Sequence, residues 1–352
     1  MGHPRRKTDA LGPPGHAAMT SRELIKKVIH FDAAPRIGYD LPAPWPCDVA
    51  GAAVGPDPAF VERRWREGDS ECWLDEWGCT WRRLGGLSKG EVARGALADW
   101  ADLDAYRPPD LGLEARYDAA RRAFADAGGR YRIGYIPGCA FNLSRKIRRL
   151  DNFLADCLLE PDRVRELNRR VMDEIETAVR HLAAAGADAV MFPEDWGTQD
   201  RLMMAPATFR SLFRPEFERL CGVAAEVGVD VWMHSCGNLW DIIDDLVGVG
   251  VTVLQFDQPA LYGVERLAAA FGGRVTFECP VDIQSRAEGL QSRDTETIRR
   301  EARRLVETLG RFGGGFLACR YGDEPAIGLE SPAWQDAACD AFVEFGGSAR
   351  QG

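Results

Sequence analysis

His234 and Cys236 stand two positions apart at the end of an apolar run, Val229–Met233, and Gly237 lets the chain turn directly after them. On extended backbone, side chains at i and i+2 point to one face, so an imidazole and a thiol there can grip one ion. A core histidine beside a buried thiol would read the same way. Histidine is scarce, however, with five in 352 residues, two of them (His3 and His16) near the N-terminus. Cys319 ends a second short apolar segment, Gly315–Ala318, and a polar loop beginning Arg320-Tyr321-Gly322-Asp323 follows it. Two thiolates and one imidazole are a recognised set for catalytic zinc, leaving a fourth position for water, a carboxylate or a substrate atom. The softness of the thiolates favours zinc over magnesium or calcium. Glu194 and Asp257 each follow an apolar run directly. They are the carboxylates available to fill the fourth position or to orient a ligand, and a plain strand-end role suits each equally.

Elements of the right kind surround these residues. Val164, Leu167, Val171, Ile175, Val179 and Leu182 recur at helical spacing over 162–185, and Gly186 stops the helix. Apolar segments follow at 187–192, 229–233, 251–256, 274–278 and 315–318, suited to strands buried on both faces. Helices are predicted between them, over 206–227, 239–246, 262–271 and from an Asp294 cap onward, and a terminal helix opens at Ser331-Pro332. Regular alternation of this kind argues a parallel sheet with right-handed crossovers. Polar residues lie directly after at least five of the strands: Glu194 and Asp195, His234 and Cys236, Asp257, Glu278, and Cys319. That clustering favours a (β/α)₈ TIM-type barrel over a doubly wound sheet, because barrel active sites assemble from the C-terminal ends of several strands. The N-terminal third is less periodic. Strands are predicted at 36–40 and 131–136, and the loop-rich stretch 41–110 holds a Trp-rich hairpin or lid over 72–81 against the barrel mouth.

Composition narrows the function classes. A formal net charge of −10 disfavours nucleic acid and anionic membrane as partners. No apolar run is long enough to span a bilayer. Residues 1–18 are rich in Pro, Gly and basic residues without the apolar centre of a secretory signal; they are expected to be a disordered leader ahead of one domain over 19–350. Ten cysteines without framework spacing, and no CxxC, predict reduced thiols in a cytoplasmic protein. No P-loop, GxGxxG or nucleophile elbow is present. The basic cluster Arg145-Lys146-Ile147-Arg148-Arg149 suits an anionic ligand or a partner, and suits a solvated helix face better; Cys139 is expected to be packing.

Several segments resemble the uroporphyrinogen decarboxylase superfamily, and within it the cobalamin-dependent methyltransferase branch. They are the strand end His234–Asn238, the later Cys319, the stretch 192–217, the opening helix 21–29, the Trp-Gly hairpin 75–81 and the middle section 151–164. The resemblance implies a barrel that binds zinc through a His-x-Cys pair and a distant Cys, here His234, Cys236 and Cys319. It also implies methyl transfer to or from a corrinoid carried by a partner protein. A thiol or folate acceptor and a methoxyl or methylamine donor remain equally open. The chain departs from true uroporphyrinogen decarboxylases in the region 31–40, where Arg36 is the single arginine and the Arg- and Gln-rich carboxylate-binding segment is missing. Two rivals are a metal-independent decarboxylase of a polycarboxylate and a barrel with a structural zinc and no catalysis.

Overall fold

The structure, a computed structural model, describes residues 19–85, 90–323, 325–329 and 331–347. The leader expected over 1–18 lies outside them. Eight parallel strands form the barrel wall: β1 (Gly38–Asp40), β2 (Val49–Ala53), β7 (Tyr131–Tyr135), β8 (Ala189–Pro193), β9 (Asp230–His234), β10 (Val253–Gln255), β11 (Thr276–Cys279) and β12 (Phe316–Cys319). Their order in the sheet is β1-β12-β11-β10-β9-β8-β7-β2, so the chain runs once around the ring. The seam falls between β1 and β2. Parallel neighbours normally need a crossover of a dozen residues or more, and only the short segment 41–48 joins these two.

Between β2 and β7, β3 (Arg63–Glu67), β4 (Ser70–Leu74), β5 (Thr80–Leu84) and β6 (Glu91–Arg94) form a separate antiparallel sheet in chain order. The hairpin expected at 72–81 is its β4–β5 turn, where Trp73 and Trp81 pair and their rings stack 5.7 Å apart. A stretch read as loop therefore carries a full four-stranded sheet. Strand β3 is charge-rich and largely exposed, and β6 is four residues with charged ends, so neither shows the apolar alternation that would mark it.

Helices α1 (Ser21–Ile29), α2 (Asp118–Ala125), α3 (Ala140–Arg148), α4 (Leu150–Leu159) and α5 (Pro161–Ala184) precede β8. After it come α6 (Pro206–Leu212), α7 (Arg214–Val227), α8 (Ile243–Val249), α9 (Val264–Phe271), α10 (Thr295–Leu309) and α11 (Ala333–Gly346). The single helix predicted over 206–227 is broken at Phe213. Pro215 has no N–H to offer the Ser211 carbonyl and its ring crowds that carbonyl, so one helix cannot run through the joint, whereas a proline in the first turn of α7 is tolerated. The terminal helix starts one residue later than expected: Pro332 is its N-cap, and Ser331 Oγ accepts from the Ala333 N–H at 3.3 Å. Asp294 caps α10 as predicted, accepting from the Thr297 N–H at 2.9 Å. No helix among the described residues is long and apolar enough to cross a membrane.

Helix α1 closes the N-terminal end of the barrel. Leu24, Ile25, Val28 and Ile29 pack in one cluster with Val49, Tyr131, Ile133, Ala189, Trp232, Val253 and Leu317, which are the inward residues of six strands. Since strand side chains alternate, the next inward layer, two residues along, must be the one that faces the opposite mouth.

One outer helix carries a buried ionisable group. Glu301 on α10 is 4% exposed, its Oε2 meets Arg304 Nη1 at 3.1 Å, and its Oε1 has no partner among the described residues. Burial pushes its carboxyl up to about 7. The folded state then holds a proton that the unfolded chain releases near pH 4.5, so stability falls as pH rises from about 5 to 7. Wild type is expected to lose on the order of 2 kcal/mol across that window from this group. Glu301→Gln should flatten that part of the curve, as read from urea midpoints at pH 5, 6, 7 and 8.

Candidate metal centre

The inward layer beyond the α1 cluster holds His234 on β9, Gln255 on β10, Glu278 on β11, Cys319 on β12 and Asp40 on β1. Register fixes their neighbours: Gln255 pairs with His234 on one side and with Glu278 on the other, and Asp40 pairs with Cys319. Five strands thus deliver polar side chains to one belt at the C-terminal mouth.

Three donor atoms meet there. Cys236 Sγ lies 3.4 Å from His234 Nε2, and Asp195 Oδ1 lies 3.6 Å from the same nitrogen. One donor atom each from Asp195, His234 and Cys236 falls within 4.8 Å of the others. Asp195 also accepts from the Cys236 N–H at 3.1 Å, which ties the loop after β8 to the loop after β9. Arg145 Nη2 touches its other oxygen at 3.2 Å.

Gln255 orients the imidazole. Its Nε2 donates to Asp257 Oδ1 at 2.9 Å, which directs Oε1 to His234 Nδ1. A carbonyl oxygen can only accept, so Nδ1 carries a proton, and Nε2 is the ring atom turned toward Cys236 and Asp195. A hydrogen-bonded second ring nitrogen is the usual arrangement for a metal-binding histidine. The same Gln255 Nε2 lies 3.8 Å from Cys319 Sγ.

The sequence candidates are therefore distributed unevenly. His234 and Cys236 stand together. Cys319 is at the same mouth and one hydrogen-bonded residue away from His234, outside the group of three. Burial, then Glu278 and Asp257, push its thiol well above the ordinary range. Asp257 faces Gln255. Glu194 faces elsewhere: its Oε1 accepts from the Cys139 and Asn142 N–H groups at 2.7 and 2.9 Å, holding the first turn of α3. Its Oε2 has no partner among the described residues, and burial pushes the carboxyl up to about 8. Cys139 is fully buried beneath it, as packing. The basic cluster is also divided. Arg148 is interior, pairing with Asp156 and with the Leu97 and Ala98 carbonyls, whereas Arg145 reaches Asp195.

Asp195 and Gln255 were missed as site residues by sequence reasoning. Asp195 was visible as a strand-end acid beside Glu194. Gln255 sits on the same face of its strand as Asp257, two positions on, and that spacing is the signal that could have found it.

The rest of the belt is acidic. Glu278 receives the Trp232 Nε1–H at 3.0 Å and is hydrogen-bonded to Asp40; burial and the Asp40 charge hold it well above the usual carboxylate range. Beside it, a cavity of about 650 Å³ opens at the ends of β1 and β12, lined by Asp40, Leu41, Cys47, Arg320 and Tyr321 among others.

The uroporphyrinogen decarboxylase (URO-D) family model matches residues 87–313. The chain belongs to that family. A solved methyltransferase from Methanosarcina mazei is similar in fold, with a TM-score of 0.58 and 17% identity over 77% of this chain and 76% of that one. The native xylanase 10B of Thermotoga maritima aligns over 92% of this chain and 98% of its own at 10% identity, with a TM-score of 0.41, too low to bear on function. No curated protein matches the chain in sequence.

Proposed function

We propose that this family member is a zinc-dependent methyltransferase that moves a methyl group to or from a corrinoid carried by a partner protein. The observation that carries the reading is the convergence of His234 Nε2, Cys236 Sγ and Asp195 Oδ1 at the barrel mouth, with Cys319 one residue beyond. Its thiols have the softness zinc prefers, and its imidazole turns Nε2 toward the other donors while Gln255 holds Nδ1. His234, Cys236 and Cys319 would hold the ion, and Asp195 stands where a carboxylate could complete the set. When bound, zinc supplies Lewis acidity, either keeping an acceptor thiol as thiolate or polarising a methoxyl or amine donor. Gln255 and Asp257 fix the imidazole. Glu194 anchors α3 and, through it, the Arg145 that meets Asp195. The likeness to the Methanosarcina mazei methyltransferase supports the barrel and is consistent with the chemistry.

Decarboxylation of a porphyrin-like polycarboxylate is the less favoured reading. Arg36, the single arginine in its segment, is engaged by Asp48 through two contacts of 2.7 Å. It is not displayed to the mouth for a substrate carboxylate.

The test combines metal analysis of the purified protein with a transfer assay. About one zinc per chain is expected, with methyl transfer between methylcobalamin, or a methylated corrinoid protein, and a donor or acceptor panel, followed by the cobalt spectrum. Uroporphyrinogen decarboxylation unaffected by chelator, with no cobalt-linked turnover, would reverse the assignment.

A further inference from the structure

Helix α3 ends and α4 begins at Arg149, whose backbone adopts φ +66° and ψ 145°. Non-glycine residues avoid that region at a cost of roughly 1–3 kcal/mol, and such strain concentrates at ligand clamps and active sites. Here the strained joint borders a cleft of about 420 Å³ between α3–α4 and the β5–β6 edge, with Trp81, Glu91, Arg145, Lys146, Arg149 and Asp151 among its walls.

The charges of the cleft are unequally matched. Glu91 is paired with Arg82 at 3.1 Å, and Asp151 with Arg149 at 3.3 Å. Arg145 spends part of its fork on Asn142 Oδ1 and Asp195 Oδ2. Lys146 is different. Among the described residues no carboxylate, carbonyl or hydroxyl bonds its ammonium, which lies over the face of the Trp81 ring, 5.8 Å from the centroid. Asp75, an acid whose charge acts on Lys146, is itself occupied by the Trp81 Nε1–H at 2.6 Å and the Cys79 N–H at 2.8 Å. A half-buried ammonium without an anion is costly, and burial together with the neighbouring Arg145 pulls its pKa down.

We propose that this cleft is a binding site for the oxyanion of a small carboxylate- or phosphate-bearing ligand, held by Lys146 with Arg145 and Arg149 and covered by the Trp81 ring. The ammonium supplies three donors, and Arg145 Nη1 and the Arg149 guanidinium add further N–H donors for carboxylate or phosphate oxygens. Trp81 provides an apolar wall for whatever carries the anion. None of the three cations belongs to the metal-binding set, so the proposal does not depend on zinc. Because Arg145 also touches Asp195, an anion seated here lies one residue from the candidate metal centre, suited to anchor a substrate whose far end reacts there.

Ligand-observed NMR with succinate as probe and inorganic phosphate as competitor, at constant ionic strength set with chloride, tests this on the full chain. Saturation transfer to succinate is expected, displaced by phosphate and unchanged after chelator treatment. Lys146→Met should weaken apparent affinity about tenfold, the effect of losing one charge-assisted hydrogen bond, and Lys146→Arg should restore most of it. Arg149→Gln, altering an exposed side chain, should weaken binding severalfold without loss of fold. Equal binding by wild type and both charge-removing variants would overturn the site, as would no response to either probe. Loss of binding on chelation would put the anion on the metal and overturn it as well.

Discussion

His234→Ala is expected to leave the purified protein without bound zinc and to lower methyl transfer by at least about 100-fold, with the far-ultraviolet circular dichroism unchanged. The size follows from the loss of a ligand, since even the groups that merely orient ligands change metal affinity or activity by about 10- to 100-fold. The unchanged fold follows from where the core lies. The α1 cluster and the helix-facing side of the sheet bury their apolar residues without any contribution from His234, which is only partly buried. Cys236→Ser should behave like His234→Ala. Gln255→Ala should be milder, about 10- to 100-fold in zinc affinity, because it removes the hydrogen bond that fixes Nδ1 and leaves all proposed donors in place. A structural zinc would produce the opposite pattern, with loss of metal accompanied by loss of the fold. Full zinc content and full activity in His234→Ala would remove the metal reading altogether.

The barrel was legible because its strands are buried on both faces. Continuous apolar runs such as Ala189–Phe192 and Val253–Leu254 stand out against the polar residues that end them, and strand-end polarity pointed to the mouth. The four-stranded sheet was hidden for the opposite reason. Arg63, Arg64, Arg66 and Glu67 are consecutive or nearly so on an exposed strand, and their pairing with β4 is set by tertiary contact rather than by pattern. At the candidate metal centre, residue type pointed to His234 and Cys236, and neighbour relations in space brought Asp195 and Gln255 to them. Nothing local to Glu194 reveals that its side chain turns to α3 while Asp195, one residue on, turns to the histidine. Strand parity does place Gln255 inward, but that it bridges Asp257, His234 and Cys319 depends on register between β9 and β10.

Gly237→Ala is the second substitution with a large expected effect, and it tests how the two site loops hold each other. Gly237 has φ +75°, a conformation costing an L-residue roughly 1–2 kcal/mol. A Cβ there would also lie 2.4 Å from the carbonyl carbon and oxygen of Gly197 and 2.6 Å from Thr198 O. Those are backbone atoms, and they cannot swing aside as a side chain would. Gly197 faces the same constraint in reverse, with its own Cβ 2.4 Å from Asn238 N. The two glycines thus let the loop carrying Asp195 lie directly on the loop carrying Cys236. The contact is fixed on several sides: Asn238 N–H donates to Thr198 O at 2.8 Å, and Tyr262 Oη donates to Gly237 O at 2.6 Å. Overpacking against a rigid neighbour adds about 1–3 kcal/mol to the conformational cost, so Gly237→Ala should lower stability by about 3 kcal/mol or more and displace Cys236 from His234, with loss of zinc. Gly228→Ala separates the two contributions. Gly228 also has a left-handed backbone, φ +72°, at the end of α7, but a Cβ there meets nothing within 4 Å. It should cost only about 1–2 kcal/mol and leave zinc content intact. If Gly237→Ala and Gly228→Ala were equally mild and both retained zinc, the close approach of the two loops would not be what sets the metal centre.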